Sequence, residues 1–409
     1  MVAALTRIFG VQNLALAEDV VQDAFCRALE VWKYRGVPDN PQAWLMATAK
    51  NRALDAIRRE RTGRRYAPEL ARTFASEWTL KPALNEMFAD HAIKDDQLRM
   101  MFSCCQPSLS EPAQIALILN LLCGFTAGEI AGVFFSTASA VEKRISRAKH
   151  ALATSDGLFE LSDAGVAARL PVVQRALYQL FSEGYHGGGE TSAVRVHLAR
   201  EAMRLVALLH EHPLAATPAT CALYALMCLH AARMPARLNG AGNLMPLGDQ
   251  DRTRFDAKLI ARGQRLLEEA ATGTELSEYH VEAAIAWIHA QATPPSDAGW
   301  KSIVECYDLL MRMRPSPLLA LNRAIAVAQL EGPQSGLQAI DAMSGRDTLA
   351  RYPFFFAAIA EMHVRSGRLD LARDNFATAL DLARNPSERD FFERRLSQVG
   401  ELRPSTRSG

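Results

Sequence analysis

Apolar residues recur at spacings of three and four along nearly the whole chain, and this helical periodicity limits the possible folds more than any other feature. Alternating runs of β-branched residues, which are typical of half-buried strands, are few. The longest apolar run, IALILNLLCGF, is too short and too interrupted to cross a membrane. The sequence therefore predicts an all-α protein with no membrane partner.

The amino-acid usage is that of a globular protein in a reducing compartment. The chain has 409 residues, of which 22% are charged and 49% hydrophobic. Its net charge of +1 does not argue against nucleic acid, because a local basic face is what matters. The seven cysteines are odd in number and scattered, and no signal peptide precedes them. We therefore expect a cytoplasmic protein.

The strongest local pattern is a pair of capped helices. Thr126 followed by Glu129 predicts a capping box, and Thr137 predicts the cap of a second helix after a short turn. The inward stripe of this second helix is predicted to be Val141, Ile145, Ala148 and Leu152. Its outward or flanking polar residues are Ser139, Lys143, Arg144, Ser146, Arg147 and Lys149. The pattern favours a helix-turn-helix that can enter a major groove, with a solvated surface helix as the alternative.

An acidic amphipathic helix comes early in the chain, from Asp19 to Trp32. Its apolar stripe is predicted to be Val21, Phe25, Ala28 and Trp32. The opposite side is predicted to carry Asp19, Gln22, Asp23 and Cys26. Acidic groups are favourable in the first turn of any helix, so their presence alone does not require a partner.

A basic helix follows from about Trp44 to Arg59, after a loop with two prolines. Its buried stripe is predicted to be Met46, Ala49, Ala53 and Ile57. Arginines accumulate towards its end and continue to Arg65. Cations are favourable near a helix C-terminus, so a solvated helix end and a nucleic-acid surface are both compatible with this segment.

Together these segments resemble an extracytoplasmic-function (ECF) sigma factor of bacterial RNA polymerase. AEDVVQDAF and PQAWLMATAKNRALDAIRR resemble sigma region 2, and the predicted helix-turn-helix resembles region 4. DDQLRMMFSCCQPSL, LFSEGYHGGGE, GDQDRTRFD and SPLLALNRAIAVAQLEGP resemble the ECF subgroup with a long TPR-like C-terminal extension. Near the end, Ala372 and Phe376 follow the TPR spacing.

The resemblance implies a division of the chain into five parts. Sigma region 2 covers 1–62, a linker covers 63–93, and the region 4 helix-turn-helix covers 94–155. A helical TPR-like domain follows over 156–400, with a disordered tail over 401–409. The first helix of region 2 is short at VAALTRIFG, which indicates a start that is truncated relative to the family.

The resemblance also implies three sets of contact residues. The residues that would dock on the clamp helices of core polymerase are Asp19, Gln22, Asp23 and Phe25. The residues that would hold the −10 element as it melts are Arg35, Asn40, Trp44, Asn51, Arg58 and Arg59. The residues that would bind the −35 element are Thr137, Ser139, Lys143, Arg144, Ser146, Arg147 and Lys149.

No cofactor and no metal site are expected. The adjacent Cys104 and Cys105 lack the CxxC spacing of zinc sites, and Gln106 stands where the subgroup usually has His. We predict a buried structural role for this pair. The implied partners are core RNA polymerase and promoter DNA, together with a protein partner or an intramolecular contact made by the C-terminal helical domain.

Two other functions remain as alternatives to a sigma factor whose extension modulates its activity. One is a TPR-containing DNA-binding regulator that does not join core polymerase, although such a regulator needs neither the acidic nor the basic helix of region 2. The other is an enzyme in the C-terminal half, but the sequence contains no nucleophile elbow, HExxH or Walker pattern. We therefore predict a protein that is not an enzyme.

Overall fold

A computed structural model describes residues 1–9, 13–63, 90–133, 136–154, 163–186, 196–240, 243–291 and 293–401. Within these ranges every regular element is helical, apart from one isolated bridge between Leu238 and Leu244. The all-α prediction is confirmed. No helix in the same ranges combines the length and the apolar character needed to cross a membrane. Most of the predicted linker, and residues 402–409, lie outside the described residues.

The chain forms two compact units, residues 1–176 and 177–409. The helices of the first unit are α1 (Val2–Phe9), α2 (Leu14–Arg35), α3 (Pro41–Gly63), α4 (Asp90–Cys104), α5 (Glu111–Leu121), α6 (Ala127–Val133), α7 (Ala138–Ala153) and the first part of α8 (Asp163–His186). The second unit contains the rest of α8. The five-part division predicted from the sequence stays a prediction.

The remaining helices of the second unit follow one another with short connections. They are α9 (Val196–Glu211), α10 (Pro218–Ala232), α11 (Met234–Arg237), α12 (Ala257–Ala270), α13 (Glu278–Ala290), α14 (Asp297–Met313), α15 (Pro317–Leu330), α16 (Pro333–Asp341), α17 (Pro353–Arg365), α18 (Leu369–Asp381) and α19 (Pro386–Glu401).

Small residues form the contact between α1, α2 and α3. Their shared core consists of Leu5, Phe9, Ala17, Val20, Ala24, Ala49 and Ala53. Alanine side chains let helix axes approach closely, because the distance between packed helices depends on the side chains at the contact. Helix α1 also packs against α4, so both ends of the first unit share contacts.

The buried face of α2 differs from the predicted stripe. Phe25 is 49% exposed, and Val21 and Trp32 are only half-buried, so three of the four predicted positions are wrong. Ala28 is buried as predicted. The helix has apolar residues on two faces, and the face with the smaller side chains packs against α1 and α3. On α3, Ala49 and Ala53 are buried as predicted, Met46 is half-buried, and the Ile57 side chain lies outside the described residues.

The connection between α4 and α5 is held from inside. The buried Gln114 donates from Nε2 to the carbonyl oxygens of Gln106 and Leu109, both at 2.7 Å. Cys104 and Cys105 are buried beside this connection, and burial raises the pKa of the Cys105 thiol to about 12. This thiol is therefore neutral at physiological pH, as a structural cysteine in an apolar site is.

Consecutive helices pack against each other throughout the second unit. The pairs α14–α15, α15–α16, α17–α18 and α18–α19 are all in contact. Ala372 and Phe376 of α18 are fully buried. Helices α15 and α16 approach so closely at Gly336 that a Cβ there would stand 2.4 Å from the Cβ of Ala328. The unit is thus a chain of packed helix pairs, and its TPR-like character stays a prediction.

Candidate nucleic-acid interface

Helix α6 begins with the predicted capping box. The backbone N–H and the hydroxyl of Thr126 donate to Glu129 Oε2, both at 2.8 Å. In return the Glu129 N–H donates to Thr126 Oγ1 at 3.3 Å. Two donors at the helix start are satisfied in this way. Residues 134 and 135 of the predicted turn lie outside the described residues.

Helix α7 has one apolar face and one exposed polar face. Thr137 caps it by accepting a hydrogen bond from the Ala140 N–H at 3.3 Å, as predicted. The predicted inward stripe is confirmed, since its buried residues are Val141, Ile145, Ala148 and Leu152. The exposed residues on the other side include Thr137, Ser139, Lys143, Ser146 and Arg147. Packing against α5 and α6 thus leaves these polar groups facing solvent.

The cations of α7 are not equivalent. Lys143 and Arg147 are exposed, whereas Arg144 is half-buried. Lys149 Nζ lies 2.5 Å from Glu18 Oε1 of α2, and both side chains are about one-third exposed or less (26% and 33%). The charge of Lys149 is therefore neutralised by the acidic helix, and a phosphate would have to displace Glu18 to reach it.

The outward face of α2 combines acidic and apolar side chains. Asp19, Gln22 and Asp23 are all exposed, and Phe25 is 49% exposed beside them. Leu29, four residues after Phe25 on the same face, is 75% exposed. Exposed apolar residues that adjoin polar ones are typical of a protein-binding surface. Leu29 was missed from the sequence, although its spacing from Phe25 could have identified it.

The connection from α2 to α3 presents a second group of exposed side chains. Arg35 and Asn40 of the predicted −10 set are exposed. Tyr34 and Val37, which the sequence analysis missed, are 82% and 66% exposed. An exposed aromatic ring beside a cation can stack on an unpaired base. The signal for Tyr34 was its position next to Arg35 at a helix end.

The other members of the predicted −10 set differ in their availability. Asn40 caps α3, because its Oδ1 accepts a hydrogen bond from the Ala43 N–H at 2.9 Å. Trp44 is half-buried and meets Trp32 edge to face, with 5.4 Å between ring centroids. Asn51 is exposed. The side chains of Arg58 and Arg59 lie outside the described residues.

Comparison with known proteins identifies two segments of the chain. Residues 1–62 match the model of sigma-70 region 2, and residues 169–271 match a family of unknown function (DUF6596). Over 397 residues the chain is 34% identical to the uncharacterized protein R00370 of Rhizobium meliloti (strain 1021), which covers 97% of this chain and 92% of that protein.

A shorter similarity links the N-terminal part to a transcription protein. Over 156 residues the chain is 26% identical to the ECF RNA polymerase sigma factor SigK of Mycobacterium ulcerans (strain Agy99), which covers 36% of this chain and 78% of that protein. No solved structure matches the chain. The region 2 match and this similarity support a sigma-factor-like role.

Proposed function

The chain belongs to the family of the uncharacterized protein R00370 of Rhizobium meliloti and matches sigma-70 region 2 over residues 1–62, and on this premise we propose that it is a promoter-specific sigma factor of bacterial RNA polymerase. In this role it binds core polymerase and directs initiation, while the polymerase performs all bond chemistry. The observation that carries the proposal is the region 2 match, within which α2 presents an exposed face of acidic and apolar residues.

Contact with core polymerase is assigned to α2. The proposed set is Asp19, Gln22, Asp23 and Phe25, to which the exposure of Leu29 adds a fifth member. Phe25 and Leu29 supply apolar area that a partner can bury, at about 25 cal/mol per Å². The acidic groups beside them favour a partly basic partner surface, since charge complementarity sets orientation and association rate.

Promoter contact is assigned to α7 and to the α2–α3 connection. Lys143 and Arg147 are placed to neutralise phosphates around the −35 element, while Ser139 and Ser146 on the same exposed face reach towards bases. Near the −10 element, Tyr34 is proposed to stack on a base that leaves the duplex. Extruding a base costs a few kcal/mol, which stacking and a basic track offset.

These assignments require α2 and α7 to separate. Elements named for positions −10 and −35 are centred roughly 25 base pairs apart, which is roughly 85 Å along B-DNA. In the structure Glu18 of α2 and Lys149 of α7 are joined by an ion pair. We therefore assign the contact to a closed form of the first unit that exists before the promoter is bound.

The second unit is proposed to modulate this activity through a protein partner or an intramolecular contact. Stacks of helix pairs offer extended surfaces for peptides or helices, which supports this role. A chain that ends at Ala176, where the first unit ends, should initiate transcription at a clearly different level from the full chain. Equal transcript levels from the two chains would refute the modulating role.

The proposed function is tested by core binding and transcription with the full-length chain. We expect start-site-specific transcripts from a genomic promoter library when core polymerase is present. Phe25→Ala should weaken core binding, whereas Leu371→Ala, which truncates a 46% exposed side chain of the second unit, should not. DNA binding without core binding or transcripts would instead support a DNA-binding regulator that does not join core polymerase.

A further inference from the structure

Three helices of the second unit bring together three side chains that commonly bind transition metals. His210 ends α9, Cys221 lies in α10 and Glu269 lies near the end of α12. One ligand atom from each residue lies within 4.8 Å of the other two. Among the described residues this is the one such grouping of three or more. All three belong to the segment that matches a family of unknown function.

The distances within this cluster suit a single small ion. Cys221 Sγ is 3.5 Å from His210 Nδ1 and 3.5 Å from Glu269 Oε1. His210 Nε2 is 3.9 Å from Glu269 Oε2. With metal–ligand bonds of about 2.0–2.3 Å in a tetrahedral site, ligand atoms stand roughly 3.3–3.7 Å apart. Small side-chain rotations are therefore enough to place one nitrogen, one sulfur and one oxygen around an ion.

The burial of the three groups leaves one side of the cluster open. Cys221 is 3% exposed, the His210 side chain 25% and the Glu269 side chain 54%. His210 and Glu269 also line a cavity of about 440 Å³ together with Arg262, Arg265 and Leu266. An ion can thus enter from the cavity side, and a fourth ligand can reach it from there.

We propose that His210, Cys221 and Glu269 form a Zn²⁺ site. Mixed sulfur, nitrogen and oxygen donors in tetrahedral geometry suit zinc, whereas magnesium and calcium prefer oxygen alone. A thiolate and a carboxylate balance the charge of the ion, and the thiol proton leaves to solvent on binding. The fourth position faces the cavity, where Arg262 and Arg265 favour water or an anionic group.

The remaining contacts of the cluster agree with a site rather than with simple core packing. The Cys221 thiol donates to Glu269 Oε1, so the carboxylate already holds the proton that zinc would replace. The His210 ring also lies beside Tyr224, with 6.0 Å between centroids, and Arg262 stacks over Tyr224 at 4.6 Å. These neighbours position the ring and one cavity arginine without using the three ligand atoms.

The test uses the full-length chain, stripped with a chelator and titrated with Zn²⁺ in competition with a chromophoric chelator. We expect one tightly bound ion per chain. Titration with Co²⁺ should give the charge-transfer band of a thiolate–cobalt bond. Cys221→Ser should abolish that band, and Glu269→Gln, at a largely exposed carboxylate, should weaken Zn²⁺ binding at least about tenfold, because even outer partners of metal ligands matter this much.

Matched variants separate ligation from general damage. Cys228→Ser removes the other buried thiol of α10, and Glu268→Gln removes the neighbouring exposed carboxylate of α12, so both should bind Zn²⁺ like the parent chain. The proposal is overturned if the parent chain binds no stoichiometric Zn²⁺. It is equally overturned if Cys221→Ser and Glu269→Gln bind as tightly as their controls.

Discussion

The ion pair between Glu18 and Lys149 leads to a prediction about DNA binding. Glu18→Gln removes the negative charge and keeps the shape of the side chain. Lys149 is then free of the 2.5 Å contact and can approach a phosphate. Its own charge and the rest of α7 are unchanged, so any gain in affinity comes from releasing this one cation and the contact between α2 and α7.

The size of the effect follows from the exposure of the pair. The two side chains are 26% and 33% exposed, which places the ion pair near the upper end of the range for surface pairs, about 0.5–1 kcal/mol. Releasing it should tighten duplex binding by roughly two- to fivefold. One additional phosphate contact should also steepen the dependence of log K on log salt by about 0.9.

The assay is fluorescence anisotropy of the full-length chain with a random-sequence duplex at several salt concentrations. A random sequence is sufficient because phosphate contacts do not depend on sequence. The control is Glu30→Gln, which removes the same charge from the same helix but from a carboxylate that pairs with Arg27. If Glu18→Gln and Glu30→Gln give equal affinity and equal salt slope, Lys149 is not released and the reasoning fails.

Three further perturbations have expected outcomes. Arg147→Gln should weaken duplex binding and lower the salt slope by about 0.9, measured by the same titration. Desolvation raises the pKa of Glu282, which accepts a hydrogen bond from the Tyr178 hydroxyl, to about 7 from an ordinary 4.5. The native state therefore holds a proton that the unfolded state releases, so this contribution to stability is present below pH 4.5 and is lost as pH rises to about 7. Glu282→Gln should match the parent chain in acid and exceed it by up to roughly 3 kcal/mol above pH 7 in denaturant unfolding. Gly336→Ala should lower the free energy of unfolding by about 1–3 kcal/mol, because the new Cβ meets Ala328.

Each of these outcomes has a clear opposite. Arg373→Gln, at an exposed arginine of the second unit, should leave duplex binding unchanged, and an equal loss there would mean that Arg147 acts only through net charge. A stability difference between Glu282→Gln and the parent that does not vary with pH would show that the carboxyl does not titrate in this window. An unchanged melting temperature for Gly336→Ala would show that α15 and α16 can move apart at no cost.

Helical periodicity and end signals were sufficient to predict α7. Its cap at Thr137 and its buried stripe follow from local hydrogen bonding and from a single apolar face, so the sequence contains the necessary information. The capping box at Thr126 and Glu129 is equally local. Such features depend on residues three or four apart, and tertiary contacts do not change them.

Helix α2 shows where this kind of reasoning fails. Its apolar residues cover two faces, and periodicity alone favoured the face with the bulkier side chains at Val21, Phe25 and Trp32. The structure buries Ala17, Val20, Ala24 and Ala28 instead, because α1 and α3 approach closely over small side chains. Phe25 is consequently exposed, and this exposure is what makes a role in partner binding possible.

The sequence by itself determined that this chain is all helical, where many of its helices begin, and that its first part resembles sigma region 2. Those properties follow from hydrogen bonds and side-chain spacings within one or two turns. Only the tertiary structure decided which charges meet, since Glu18 and Lys149 are separated by most of the first unit along the chain. The same holds for His210, Cys221 and Glu269, whose spacing matches no metal-binding pattern because three different helices supply them.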